Sequence, residues 1–135
     1  GDGDVDVVAA ASIDGAVVWH ANLGGGTFAG TPTVISDAQP SVAALAAADL
    51  DGDGDVDLVS AASGVSVVPW FENDGSGSFT LHTVATGIGQ PAAVLVGDFG
   101  GNNGHTDVVV AGLEGHVGVY VNSDVSPDGT PAPPP

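Results

Sequence analysis

Three observations predict an all-β chain built from about three repeats of four strands each. The apolar runs are short, rich in β-formers and bounded by Gly, Asn, Asp and Ser, which is the pattern of strands and turns rather than of helices. The chain also repeats itself: "GDGDVDVVAAASIDGAVVWHANLGGGTF" lies without a gap over "GDGDVDLVSAASGVSVVPWFENDGSGSF", aligning Gly1 with Gly52 and Phe28 with Phe79. A third copy begins at "DFGGNNGHTDVVVAGLEGHVGVYVN", where Asp98 matches Asp49 and, after one inserted residue, Asp107 matches Asp57. Four strands in a period of about 50 residues is the size of a propeller blade, so the predicted fold class is β-propeller blades, the first and last incomplete.

The first copy gives strands at residues 5–11, 16–21 and 27–35. The second gives 42–48, 56–62, 65–71 and 79–85, and the third 92–97, 107–111 and 117–122. The alanine-rich "SVAALAAADL" is the one segment where helix propensity competes. Its counterpart "PAAVLVGDF" is β-rich, so the repeat makes both strands. Small residues in these strands let blades crowd around an axis. The expected units are residues 1–40, 41–90 and 91–122, followed by a tail at 123–135 whose prolines fit an extended strap rather than a sheet. One complete blade with two partial ones cannot close a propeller. The opening inside a "GDGDVD" motif reads as a partial or processed chain, and unpaired edges invite further copies or the remaining blades of a larger protein.

Charge narrows the function. The 135 residues hold 17 acids, no Lys or Arg and four His, a formal charge of −17, so counter-charge is expected from outside the chain. Acids concentrate in three loops: Asp2, Asp4 and Asp6; Asp49, Asp51, Asp53, Asp55 and Asp57; Asp98 and Asp107. Such clustering points to local cation sites rather than a diffuse acidic surface. Nucleic acid is excluded as a partner, since nothing here neutralises phosphate. Insertion into a membrane is excluded by the absence of a long apolar run. Without cysteine there are no disulfides, thiolate chemistry or zinc–cysteine sites.

The stretch "DLDGDGDVD" carries the chemistry. Calcium takes six to eight oxygen ligands, and a tight loop supplies them with acids at positions 1, 3 and 5, a carbonyl at 7 and a further acid at 9. Asp49, Asp51, Asp53, Asp55 and Asp57 occupy those places, with Gly54 allowing the sharp turn between them. Position 12 is Ser60 inside a β-rich run, which rules out an EF-hand. This loop, the "VDLV" after it, "VPWFEND" and "GSGSF" resemble the FG-GAP or VCBS repeats of integrin-like propellers. The resemblance implies calcium as cofactor, Asp49, Asp51, Asp53 and Asp57 as side-chain ligands, and Asp55 as a carbonyl donor. The first copy keeps Asp2, Asp4 and Asp6 but lacks counterparts of Asp49 and Asp51. The third keeps Asp98, Asn102 and Asp107 with Gly100 in place of Asp51, so weak binding, or a loop held by Asn side chains, is expected there.

Trp19 and Trp70 repeat, as do Phe28 and Phe79, which marks both pairs as packing residues. His20, His82, His105 and His116 lack a second His at ligand spacing. No nucleophile or phosphate-loop motif occurs, and acids spent on a cation are not free for acid–base work, so the reading is non-enzymatic. Calcium and acidity favour an extracellular setting. Two roles fit: a calcium-stiffened structural module that self-assembles into a polymer or belongs to a larger surface protein, and an adhesion module whose loops bind a protein or glycan. Thr130 in the tail is a candidate O-glycan site.

Overall fold

The computed structural model describes residues 3–100 and 104–122. Asp2, Asn102, Thr130 and the proline-rich tail lie outside the described residues. Ten strands and no helix are present among those described. They are β1 (Val7–Ala11), β2 (Ala16–His20), β3 (Thr33–Ser36), β4 (Val42–Ala48), β5 (Asp57–Ala62), β6 (Val67–Asn73), β7 (Phe79–Thr86), β8 (Pro91–Gly97), β9 (Asp107–Gly112) and β10 (Val117–Tyr120). The alanine-rich segment is strand β4, as repeat logic requires and helix propensity does not.

The strands form three antiparallel meanders: sheet I, β1-β2-β3; sheet II, β4-β5-β6-β7; and sheet III, β10-β9-β8. By repeat register β1 corresponds to β5, so sheet I lacks the first strand of the unit and sheet III the fourth among the described residues. Every residue of β5 is buried, because sheet II is covered on both faces. Leu58, Ala62 and Phe71 join Val17 and Val42 in one core, against which Val8 and Ile35 of sheet I pack. Val59, Ala61, Val68 and Trp70 join Val94, Val108 and Val110 of sheet III in another. Period-2 alternation thus sends the side chains of β5 and β6 into two different cores, and a one-residue slip would exchange them.

Two departures from the sequence reading have local causes. The strand expected at 27–35 is confined to Thr33–Ser36, with a single bridge from Asn22 to Phe28 ahead of it. Pro32 has no N–H for a ladder, and the preceding Gly24, Gly25 and Gly26 all adopt positive φ. Phe28 is 43% exposed and is not the core residue its repetition implied: Phe79 packs against the core between sheets I and II, whereas among the described residues no sheet covers the corresponding face of sheet I. In β6, Pro69 sits where the register to β7 shifts between Val68 and Pro69, a bulge that tolerates the missing donor.

Trp70 is fully buried, so replacing it with Ala is expected to cost about 3–5 kcal/mol. Phe28→Ala is expected to stay within about 0.5 kcal/mol despite the shared repeat position. Urea unfolding curves of the two variants check the contrast.

Candidate metal centre

The loop joining β4 to β5 begins and ends side by side, because Ala48 and Asp57 are cross-strand partners. Asp49 follows the end of one strand and Asp57 starts the next, so positions 1 and 9 of the acidic motif converge without further folding. Between them the chain turns on Gly52 and Gly54, at φ +82° and +96°. Gly3 holds the equivalent place in the first repeat with φ +93°, a conformation in which a side chain would be strained.

Backbone N–H groups orient the carboxylates. Asp49 accepts from Gly52 at 2.7 Å through Oδ1 and from Gly54 at 3.0 Å through Oδ2. Asp51 accepts from Asp53 at 3.1 Å, and Asp53 from Asp55 at 2.8 Å. Asp57, fully buried, accepts from Leu50 at 3.0 Å and from Asn73 at 2.8 Å. Each carboxylate oxygen has a second lone pair, so these bonds aim the group without exhausting it.

One oxygen from each of Asp49, Asp51 and Asp57 falls within 4.8 Å of the others. Burial raises the pKa of Asp51, and the neighbouring Asp53, Glu72 and Asp49 charges push it the same way. Burial likewise raises Asp57, against the opposing pull of the Asn73 and Leu50 N–H donors, while the Asp51 charge adds to the rise. Three converging carboxylate oxygens, with burial disfavouring the ionised forms of Asp51 and Asp57, suit a hard divalent cation. When bound, such an ion would supply the missing positive charge, held by Asp49, Asp51 and Asp57. Asp53 is not in that group; like Asp49 and Asp51 it accepts a loop N–H, here from Asp55. Nor is the side chain of Asp55, which lies against Gly75 of the next hairpin.

The other loops are built differently. Asp6 is exposed and accepts from Asn22 at 2.7 Å, while Asp4 lies beside Gly24, the equivalent of Asp55 beside Gly75. Asp98 accepts from Gly104 at 3.0 Å. Asp107 is fully buried and accepts from Phe99 at 2.7 Å, Gly100 at 2.5 Å and Asn122 at 2.7 Å. Aspartate side chains thus accept N–H groups within the third loop, while the asparagine expected to do so, Asn102, lies outside the described residues.

A recurrent pair went unread in the sequence. Asp6 with Asn22, Asp57 with Asn73 and Asp107 with Asn122 each form the same bond, from the asparagine N–H to aspartate Oδ1. Its signal is the asparagine that ends "VVWHAN", "VPWFEN" and "VGVYVN". One carboxylate has a histidine beside it: His82 Nε2 lies 2.5 Å from Glu72 Oε2, and its ring lies tilted against Trp70 with centroids 4.6 Å apart.

The FG-GAP-like repeat family model matches residues 1–60 and 49–103, and the chain belongs to that family. Repeats of this family occur in extracellular and adhesion-type proteins and are generally non-enzymatic. No curated protein matches the chain. Among the described residues no helix is long and apolar enough to cross a membrane.

The raised Asp51 and Asp57 pKa values set a pH dependence. An acid whose pKa is higher folded than unfolded binds more protons in the native state, so its cost to stability is absent below the unfolded value of about 3.9 and complete above the raised one. In chelator the melting temperature is expected to rise on acidification from pH 7 towards the raised values. With calcium in excess the trend is expected to reverse, since the ion needs ionised carboxylates. Thermal melts across that range, with and without the ion, check both signs.

Proposed function

We propose that this chain is a non-enzymatic structural module of an extracellular protein, in which calcium at Asp49, Asp51 and Asp57 stiffens propeller-type blades. The convergence of three carboxylate oxygens within 4.8 Å, in a chain without Lys or Arg, is the observation that carries the reading. Asp53 and the Asp55 carbonyl complete the ligand set that the family pattern implies. The units at residues 1–40, 41–90 and 91–122 act as successive blades.

The outward faces of the end sheets support stacking on further units of the same kind. Val7 and Val34 of sheet I are 45% and 59% exposed, and Leu95, Val117 and Val119 of sheet III 64%, 73% and 50%. Their repeat equivalents in sheet II include Leu58, Val68 and Trp70, all buried against a neighbouring sheet. Further copies in a polymer, or the remaining blades of a larger surface protein, would cover these faces. A mass measurement giving only monodisperse monomer removes the polymer version.

Calcium at about 100 times its dissociation constant stabilises a fold by about 2.7 kcal/mol. Chelation is therefore expected to lower the melting temperature by roughly 10 °C. Asp51→Asn is expected to abolish the response to calcium, and an unchanged melting temperature after chelation overturns the stabilising role.

A groove of about 560 Å³ between sheets I and II favours a second reading, recognition of a glycan. Trp19, Phe79, Asp4, Asp55 and Asn73 line it, an aromatic wall beside polar groups. Trp70 is fully buried and takes no part. Binding to a glycan array that disappears in Trp19→Ala is the expected result, and binding indifferent to Trp19 rejects the groove.

A further inference from the structure

Leu50 stands between the first two ligand positions, and its peptide groups are held on both sides. Its N–H donates to Asp57 Oδ2 at 3.0 Å. Its carbonyl accepts from the side-chain amide of Asn122 at 2.7 Å, a bond spanning 72 residues from sheet II to the end of sheet III. Asn122 is itself fixed, since its backbone N–H donates to Asp107 Oδ1 at 2.7 Å. The line of contacts is buried throughout: Asp107 and Asp57 are 0% exposed, Asn122 and Leu50 4%. The Leu50 side chain adds to the connection, packing in one core with Val94, Val108 and Val110 of sheet III.

The equivalent asparagines do something else with the same amide. Asn22 Nδ2 donates to the Val5 carbonyl at 3.0 Å and Asn73 Nδ2 to the Val56 carbonyl at 3.1 Å, each within its own repeat. At Asn122 the bond crosses to the acidic loop of the preceding repeat.

We propose that Asn122 is a positioning residue for the ion loop, so that cation binding at Asp49, Asp51 and Asp57 is linked to the docking of sheet III. The proposal rests on the calcium reading above. The Leu50 carbonyl belongs to the peptide group that leads into Asp51, and fixing it fixes how that carboxylate faces Asp49 and Asp57. A buried carbonyl deprived of its donor would turn to find another and carry Asp51 with it. Linkage is reciprocal: the factor by which the docked sheet tightens the ion is the factor by which the ion stabilises docking.

The test uses the whole chain, with calcium chloride as the probe. Calorimetric titration of the unmodified protein is expected to show a binding component that Asp51→Asn removes. Asn122→Ala is expected to weaken that component about tenfold, the scale of one lost buried hydrogen bond. Asn122→Ser keeps a polar group too short to reach Leu50 and gives the same loss should the alanine variant fail to fold. Hydrogen exchange supplies the second readout: calcium is expected to slow exchange of the β9 and β10 amides in the unmodified chain and to lose that effect in either variant. A folded Asn122 variant with unaltered affinity and intact calcium-dependent protection overturns the linkage and leaves the calcium reading standing. A chain with no component removed by Asp51→Asn overturns both.

Discussion

A buried carboxylate at the start of the second strand of the unit is the interaction on which the architecture turns. Asp57 takes the Leu50 N–H from the loop before it and the Asn73 N–H from the end of β6, so one side chain ties loop, strand and hairpin together. Asp107 repeats the arrangement with Phe99, Gly100 and Asn122. Burying an acid is costly unless donors or a counter-charge meet it. The backbone donors meet part of that cost, and for Asp57 the raised pKa marks the part they leave. Asp6 makes the same bond to Asn22 yet remains exposed, with no strand corresponding to β4 beside it among the described residues. Covering the acid is thus a consequence of completing the sheet.

The chain's composition and its packing answer to that constraint together. With no Lys or Arg, positive charge within the protein can come only from histidine or a terminus, and His82 is engaged by Glu72 on the neighbouring strand. Within the chain, the acidic loop is therefore met by its own backbone N–H groups and that of Asn73. Apolar layers on both faces of sheet II hold the strand ends in register, which keeps Asp49 and Asp57 adjacent. Core and acidic loop are in this sense coupled: the layers set the loop's ends, and the loop's charges set what the layers must withstand.

Strand number and order were legible because the repeat supplied each segment with an internal control. The alanine-rich β4 would have been ambiguous alone, and its β-rich counterpart β8 decided it. The same repetition misled at Phe28. Its equivalent Phe79 reaches the core because sheet I lies against that face of sheet II, and among the described residues no sheet lies against the matching face of sheet I. Within the acidic loop, motif position set Asp55 apart as a carbonyl donor but did not divide the other four aspartates. Asp49, Asp51 and Asp57 converge, while Asp53 stays outside that group and the Asp55 side chain lies against Gly75. That division depends on where each side chain points after the turn, and residue spacing does not encode it.

By itself the sequence determined the all-β class, the repeat, the family resemblance and the loop where negative charge gathers, since all of these are properties of residue order and residue chemistry. Tertiary structure alone decided which acids become buried, which asparagines clamp them, and that Asn122 reaches across to Leu50 rather than staying within its own repeat. The physical reason is burial. A polar group taken out of water must find its partner among whatever the neighbouring sheet presents, and that neighbour can lie 72 residues away.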